Sequence, residues 1–183
     1  EEMLQLAIDQ TTTPVAIRYP KASVPELPVP REEGLRIGKA EVLVEGEGVA
    51  LFAYGSMVEA AWSALALLAE KGIHPTLVNA RFAKPLDIEL LKGLGENHHT
   101  LVTLEEHVLM GGFGSGVTEV LVDANIRYDK ILRLGVPDEF ITFGSRKQLL
   151  EDCGLSPEAI ANRIISECLG EKPPKAHETR VLS

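Results

Sequence analysis

Between Ala40 and Leu134 short β-prone runs alternate with segments of helical periodicity, and this beat restricts the fold more than any other feature of the sequence. Ala40 to Val44 and Val49 to Tyr54 are strand-like, and the glycines of the intervening Glu45-Gly46-Glu47-Gly48 suit a hairpin turn. An antiparallel pair is therefore predicted to open the domain. Ser56 is predicted to cap a helix in which Val58, Ala61, Trp62, Leu65 and Leu68 share one apolar face, with Gly72 at its end. Pro75 to Ala80 reads as the next strand, and Asp87 as the cap of a helix carrying Ile88, Leu91 and Leu94. Thr100 to Leu104 is a further strand; Gly111 to Gly116 (GGFGSG) leads into a helix with Val117, Val120, Leu121 and Ala124, and Lys130 to Leu134 is the last strand. Two helices finish the domain, one opened by Ser145 and Gln148 as a capping box, the other by Ser156 with Pro157 at the first helical position. Parallel neighbours need a crossover, which a helix supplies, so the expected fold is α/β: a three-layer, mixed, mostly parallel sheet with helices on both faces.

Residues 1–33 break this rhythm. Pro14 to Pro20 is a short β-prone run closed by proline, and Pro25, Pro28 and Pro30 oppose any helix or central strand before Arg31, which marks an interdomain linker. The main domain is expected over 34–170, and 171–183, with Pro173 and Pro174, is expected to be a tail. The opening Glu1 to Leu6 has neither a basic region nor a signal-type apolar core, so no targeting peptide is expected. Its mid-helix character points to a piece of a longer protein. The longest apolar stretch, Ala60 to Ala69, is interrupted by Trp62 and Ser63 and falls short of a membrane span. A formal net charge of −9, with 18 scattered basic residues, argues against nucleic acid. Cys153 and Cys168 lack CxxC spacing and read as two buried thiols in a reducing compartment.

The candidate chemistry is sparse. Arg18 is predicted to end a strand before Tyr19-Pro20, and Arg81 another before Phe82-Ala83-Lys84-Pro85. Ligands of open α/β sheets collect at the carboxyl ends of strands, where a guanidinium can grip a phosphate with two parallel hydrogen bonds. The surface ion pair is the competing role for each arginine. GGFGSG invites a dinucleotide reading, but G-x-G-x-x-G from Gly112 requires glycine where Val117 stands, so a tight turn or an interface loop is favoured. In Glu105-Glu106-His107 only the first and third residues can share a strand face, which disfavours a metal site. No GxSxG, P-loop or HExxH motif occurs, and His74, His98, His99 and His177 have no nucleophile beside them.

Four blocks, PVAIRYP (14–20), AYGSMV (53–58), NARFAKPLD (79–87) and VTLEEH (102–107) followed by GGFGSGV (111–117), resemble in order and spacing the end of the 1-deoxy-D-xylulose-5-phosphate synthases, from about Pro14 to Gly170. That family is similar to transketolase. The resemblance implies that residues 1–33 are the end of a pyrimidine-binding domain plus linker and that 34–170 are a transketolase-like C-terminal domain. It implies a thiamine-diphosphate- and Mg²⁺-dependent transferase that joins pyruvate to D-glyceraldehyde 3-phosphate with release of CO₂, supplying isoprenoid, thiamine and pyridoxal biosynthesis. It further implies a homodimer in the bacterial cytoplasm or plastid stroma. Arg18 and Arg81 match the family arginines that hold the acceptor's phosphate. Lys21-Ala22 stands where the family usually has Arg-Gly, a departure at the position of a second phosphate contact that leaves the role of Lys21 open. The resemblance places the catalytic glutamate and the metal and diphosphate ligands upstream. No catalytic, cofactor or metal residue is therefore assigned here, and this stretch alone is expected to be inactive. The rival readings are the C-terminal dimerisation or interaction domain of a transketolase or of a 2-oxoacid dehydrogenase β subunit.

Overall fold

A computed structural model describes residues 2–10, 12–20 and 34–169. Lys21, the proline-rich linker and the tail with His177 lie outside them. The elements are α1 (Glu2–Asp9), β1 (Glu41–Val44), β2 (Gly48–Ala53), α2 (Met57–Ala69), β3 (Thr76–Asn79), α3 (Ile88–Asn97), β4 (His98–Val108), α4 (Phe113–Asp123), β5 (Lys130–Val136), α5 (Arg146–Asp152) and α6 (Pro157–Leu169).

The five strands form one sheet in the order β1-β3-β2-β4-β5, parallel throughout except for β1. Central β2 is apolar at every position from Val49 to Ala53 because both of its faces are covered. Val49, Leu51 and Ala53 pack with Met57, Ala61 and Leu68 of α2 and with Ile160 and Ile164 of α6. Ala50 and Phe52 face the other way, against Leu91 and Leu94 of α3 and Phe113, Val117 and Leu121 of α4. The predicted α/β class and its two helical layers are present.

The predicted hairpin is not. β1 runs antiparallel to β3, with Glu41 opposite Asn79 and Val42 opposite Val78, and β3 separates it from β2. The glycine-rich link crosses the start of β3 instead of folding back. Gly46 donates its N–H to Oγ1 of Thr76 (2.9 Å), and Glu47 donates to the carbonyl of His74 (2.9 Å). Glycine serves here because a Cβ on Gly46 would overlap the main chain of His74 and Pro75. Beneath this crossing Oγ1 of Thr76 lies 2.7 Å from Nε2 of His98, and Nδ1 of His98 lies 3.0 Å from the carbonyl of Leu94. A carbonyl only accepts, so Nδ1 carries a proton. His98 and His99, expected in a connection, are the first residues of β4, which extends well beyond the predicted Thr100–Leu104.

The helix signals act as read in three of four places. Asp87 accepts from the N–H of Leu90 (3.2 Å), Ser145 and Gln148 form the reciprocal capping box, and Oγ of Ser156 accepts from Ala159 (3.2 Å). Ser56 precedes α2 but makes no cap; its hydroxyl is engaged elsewhere. Pro14 to Pro20 also departs from expectation. It forms no strand, and Val15, Ile17 and Tyr19 are exposed, as are Leu4 and Ile8 of α1.

Candidate functional site at the carboxyl edge of the sheet

Three polar clusters gather where the parallel strands end. The first is built by the direction of β1. Running against its neighbours, it places its first residue, Glu41, beside the last residue of β3, two positions before Arg81. Arg81 has a left-handed backbone, with φ of 55°, and its N–H is received by Oδ1 of Asn79 at 3.1 Å. Its Nη2 meets Oε2 of Glu41 at 2.7 Å, and the two side chains are only 11% and 7% exposed. Next to them Asp87 makes three contacts, joining α3 to the segment that leads into β1. It caps α3, accepts from the N–H of Ala40 (3.1 Å) and pairs with Nζ of Lys39 (3.0 Å). The family-like run NARFAKPLD therefore ties β1, β3 and α3 together.

The second cluster centres on Glu106, on the part of β4 that extends past its pairing with β2, which ends at Leu104. Arg146, the first residue of α5, grips its carboxylate with two bonds, Nε to Oε1 at 2.8 Å and Nη2 to Oε2 at 2.5 Å, and Ser56 donates a further hydrogen bond to Oε2. Arg18 donates from Nη2 to the main-chain carbonyl of the same residue, at 3.1 Å. Burial pushes the Glu106 carboxyl up. The hydrogen bonds from Arg146 and Ser56 and the charges of Arg146 and Arg18 outweigh it and hold the group below the usual glutamate range. A lowered folded-state value means that the cluster stabilises the fold above the ordinary glutamate pKa of about 4.3 and stops doing so as the pH falls through the lowered value. Urea unfolding of the wild type and Glu106→Gln should accordingly show a stability gap that is constant from pH 7 to about 5 and narrows as the pH falls below the ordinary glutamate pKa of about 4.3. A gap that does not change with pH would contradict this account.

The third cluster disposes of the dinucleotide reading. Glu105 is fully buried, and its carboxylate accepts the first free N–H groups of α4, from Phe113 (2.6 Å) and Gly114 (2.8 Å). The helix N-terminus, where a pyrophosphate would sit, already holds an anion of the protein's own. The glycines of GGFGSG permit this contact. A Cβ on Gly112 would overlap Glu105 and the carbonyl of Val108, and one on Gly114 would come within 2.5 Å of Oγ1 of Thr103. Phe113 then stacks on Tyr54 (4.9 Å between ring centres) and Phe52 (5.6 Å), which fastens α4 to β2. GGFGSG is a packing turn.

The two predicted site residues are therefore both at this edge, Arg81 buried against Glu41 and Arg18 resting on Glu106. Sequence reading missed Glu41, Arg146 and the engagement of Ser56. It had noted that Glu105 and Glu106 point to opposite faces, and their separate partners follow from that alternation. Two places where thiamine diphosphate or its metal would sit are closed or absent among the described residues. The glycine-flanked helix terminus is filled by Glu105, and no three His, Cys, Asp or Glu side chains among the described residues converge as a metal site would require.

The sequence profile described as the transketolase C-terminal domain matches residues 38–160. The 1-deoxy-D-xylulose-5-phosphate synthase of a Synechococcus strain is 47% identical over 166 residues, covering 90% of this chain and 26% of that protein. That of Gloeobacter violaceus is 45% identical over 178 residues, covering 96% and 28%. The chain thus spans about a quarter of the length of the curated relatives it matches. Among solved structures, a split-gene transketolase described as an inactive β4 tetramer superposes with a TM-score of 0.68 at 30% identity, over 83% of this chain and 47% of the other. Transketolase from Campylobacter jejuni, at 19% identity and a TM-score of 0.50 over 70% of this chain and 18% of the other, shares the fold. By sequence and by fold, this chain belongs to the transketolase C-terminal domain family.

Proposed function

We propose that this chain is the C-terminal part of a 1-deoxy-D-xylulose-5-phosphate synthase, which uses thiamine diphosphate and Mg²⁺ held by its upstream domains to join pyruvate to D-glyceraldehyde 3-phosphate with loss of CO₂. The contribution of this part is to hold the acceptor's phosphate with Arg81 and Arg18. One observation carries the reading: a guanidinium kept nearly buried, on a strained backbone, at the carboxyl edge where α/β sheets bind ligands. Arg18 supports it. Its guanidinium rests on β4, and Arg81 follows β3, the two strands that flank β2, so both arginines belong to the same edge of the sheet. A dianionic phosphate suits such forked donors, which separates this acceptor from unphosphorylated aldehydes.

Residues 1–33 then belong to the preceding pyrimidine-binding domain and linker. The exposed apolar side chains of Leu4, Ile8, Val15, Ile17 and Tyr19 support this, since they have no core of their own here. The fully exposed Phe140 and Phe143, in the connection from β5 to α5, favour a second role as a packing surface in a homodimer.

In the full-length protein Arg81→Ala is expected to raise the KM for D-glyceraldehyde 3-phosphate by about 10- to 100-fold, the worth of one charge-assisted pair, while the KM for pyruvate stays within about twofold. The chain alone, assayed beside it, should turn over neither substrate. Equal losses for both substrates in steady-state kinetics would refute the assignment.

A further inference from the structure

We propose that Glu41 is a positioning residue for phosphate recognition, its carboxylate holding the Arg81 guanidinium in place before the acceptor arrives. The inference rests on the reading of Arg81 as a phosphate ligand and adds the residue that makes that ligand specific. β1 is an edge strand of sequence Glu-Val-Leu-Val, and its acidic residue is the most buried of the four. A carboxylate is costly to bury unless a cation meets it in good geometry, whereas an apolar side chain would fill the same place without that cost. Packing alone gives no reason for glutamate there; Arg81 does, at 2.7 Å.

The arginine carries a matching cost. Its left-handed backbone is disfavoured for any residue with a Cβ, and such strain persists where surrounding structure fixes a side chain for use. A free arginine side chain samples many rotamers, and a ligand that must order it loses affinity in doing so. Glu41 performs that ordering within the fold, and the guanidinium keeps further N–H groups for an anion. The opposite effect also operates, because a carboxylate near the site repels a phosphate. Orientation outweighs it here: a guanidinium only 11% exposed would swing toward water once its buried partner was gone, and the phosphate would lose its donor.

The experiment uses the full-length enzyme with D-glyceraldehyde 3-phosphate and, in parallel, unphosphorylated D-glyceraldehyde. Glu41→Gln keeps the shape and removes the charge, Glu41→Ala removes the group, and Glu41→Asp restores the charge at shorter reach. The expected result is a KM for the phosphorylated acceptor raised about tenfold in Glu41→Gln and Glu41→Ala, with partial recovery in Glu41→Asp. The KM for pyruvate and the efficiency with D-glyceraldehyde should stay within about twofold, and Glu41→Ala combined with Arg81→Ala should be no worse than Arg81→Ala. An unchanged or lowered KM in Glu41→Gln, or an equal loss with both acceptors, overturns the role of Glu41 while Arg81→Ala still reports on the phosphate site. If Arg81→Ala itself leaves the phosphorylated acceptor unaffected, the phosphate reading has failed and this inference fails with it.

Discussion

Gly112→Ala is expected to destabilise the folded chain by about 3–5 kcal/mol, combining the strain of an overfilled site with weakened hydrogen bonds to a charged group. The added methyl would occupy the space of the Glu105 carboxylate and of the Val108 carbonyl, and the second of these is main chain that cannot step aside cheaply. Displacing Glu105 would strip the N–H groups of Phe113 and Gly114 of their acceptor inside the protein, where unmet donors are costly. Gly116 provides the internal control. It lies within α4, and a Cβ there meets nothing within 4 Å, so Gly116→Ala should stabilise by roughly 0.5–1 kcal/mol through helix propensity. Urea denaturation of the two variants should move the midpoint in opposite directions. Shifts of the same sign would show that GGFGSG is not the packing turn described.

Comparable damage, about 3 kcal/mol or more, is expected from Gly46→Ala, since every atom nearest the new methyl belongs to the backbone of His74 and Pro75. The crossing of the glycine-rich link over the start of β3 would have to open, breaking the hydrogen bond from the Gly46 N–H to Oγ1 of Thr76. Exposed Glu45, one residue earlier, sets the scale of an ordinary surface change, and Glu45→Ala should stay within about 0.5 kcal/mol. Thermal melting of both variants checks the contrast. A Gly46→Ala protein as stable as Glu45→Ala would mean that the crossing is not held as tightly as its geometry implies.

The same glycine shows where sequence reading stops. Glu45-Gly46-Glu47-Gly48 announces that a side chain is not tolerated, but not what lies on the other side, and a hairpin and a crossover need glycine for the same steric reason. The period of β2 and of the helices was legible because burial on both faces, or on one helical stripe, is written locally in the choice of residues. Arg81 and Arg18 were legible as candidates because phosphate chemistry restricts residue type and position. Glu41 was not, because its meeting with Arg81 depends on the reversed direction of β1, a pairing between residues 40 positions apart. Ser56 illustrates a third case. Its local signal for a helix cap was sound, but a carboxylate from β4 claimed the hydroxyl. Pro14 to Pro20 has the residues of a strand without a partner strand among the described residues, and composition alone cannot supply one.

The sheet has two ends with separate duties. The Thr76, His98 and Gly46 contacts secure the amino ends of the strands, while Glu41, Arg81, Arg18 and Glu106 occupy the opposite rim, a full strand length away. For an engineer this is a licence to work on one end without disturbing the other: thermostabilising changes, labels or fusions placed around residues 70–72 or 125–129 reach the rim of Arg81 and Glu106 only through the strands between. Drift in robustness and drift in the chemistry of the opposite rim can then proceed on different residues of the same small domain.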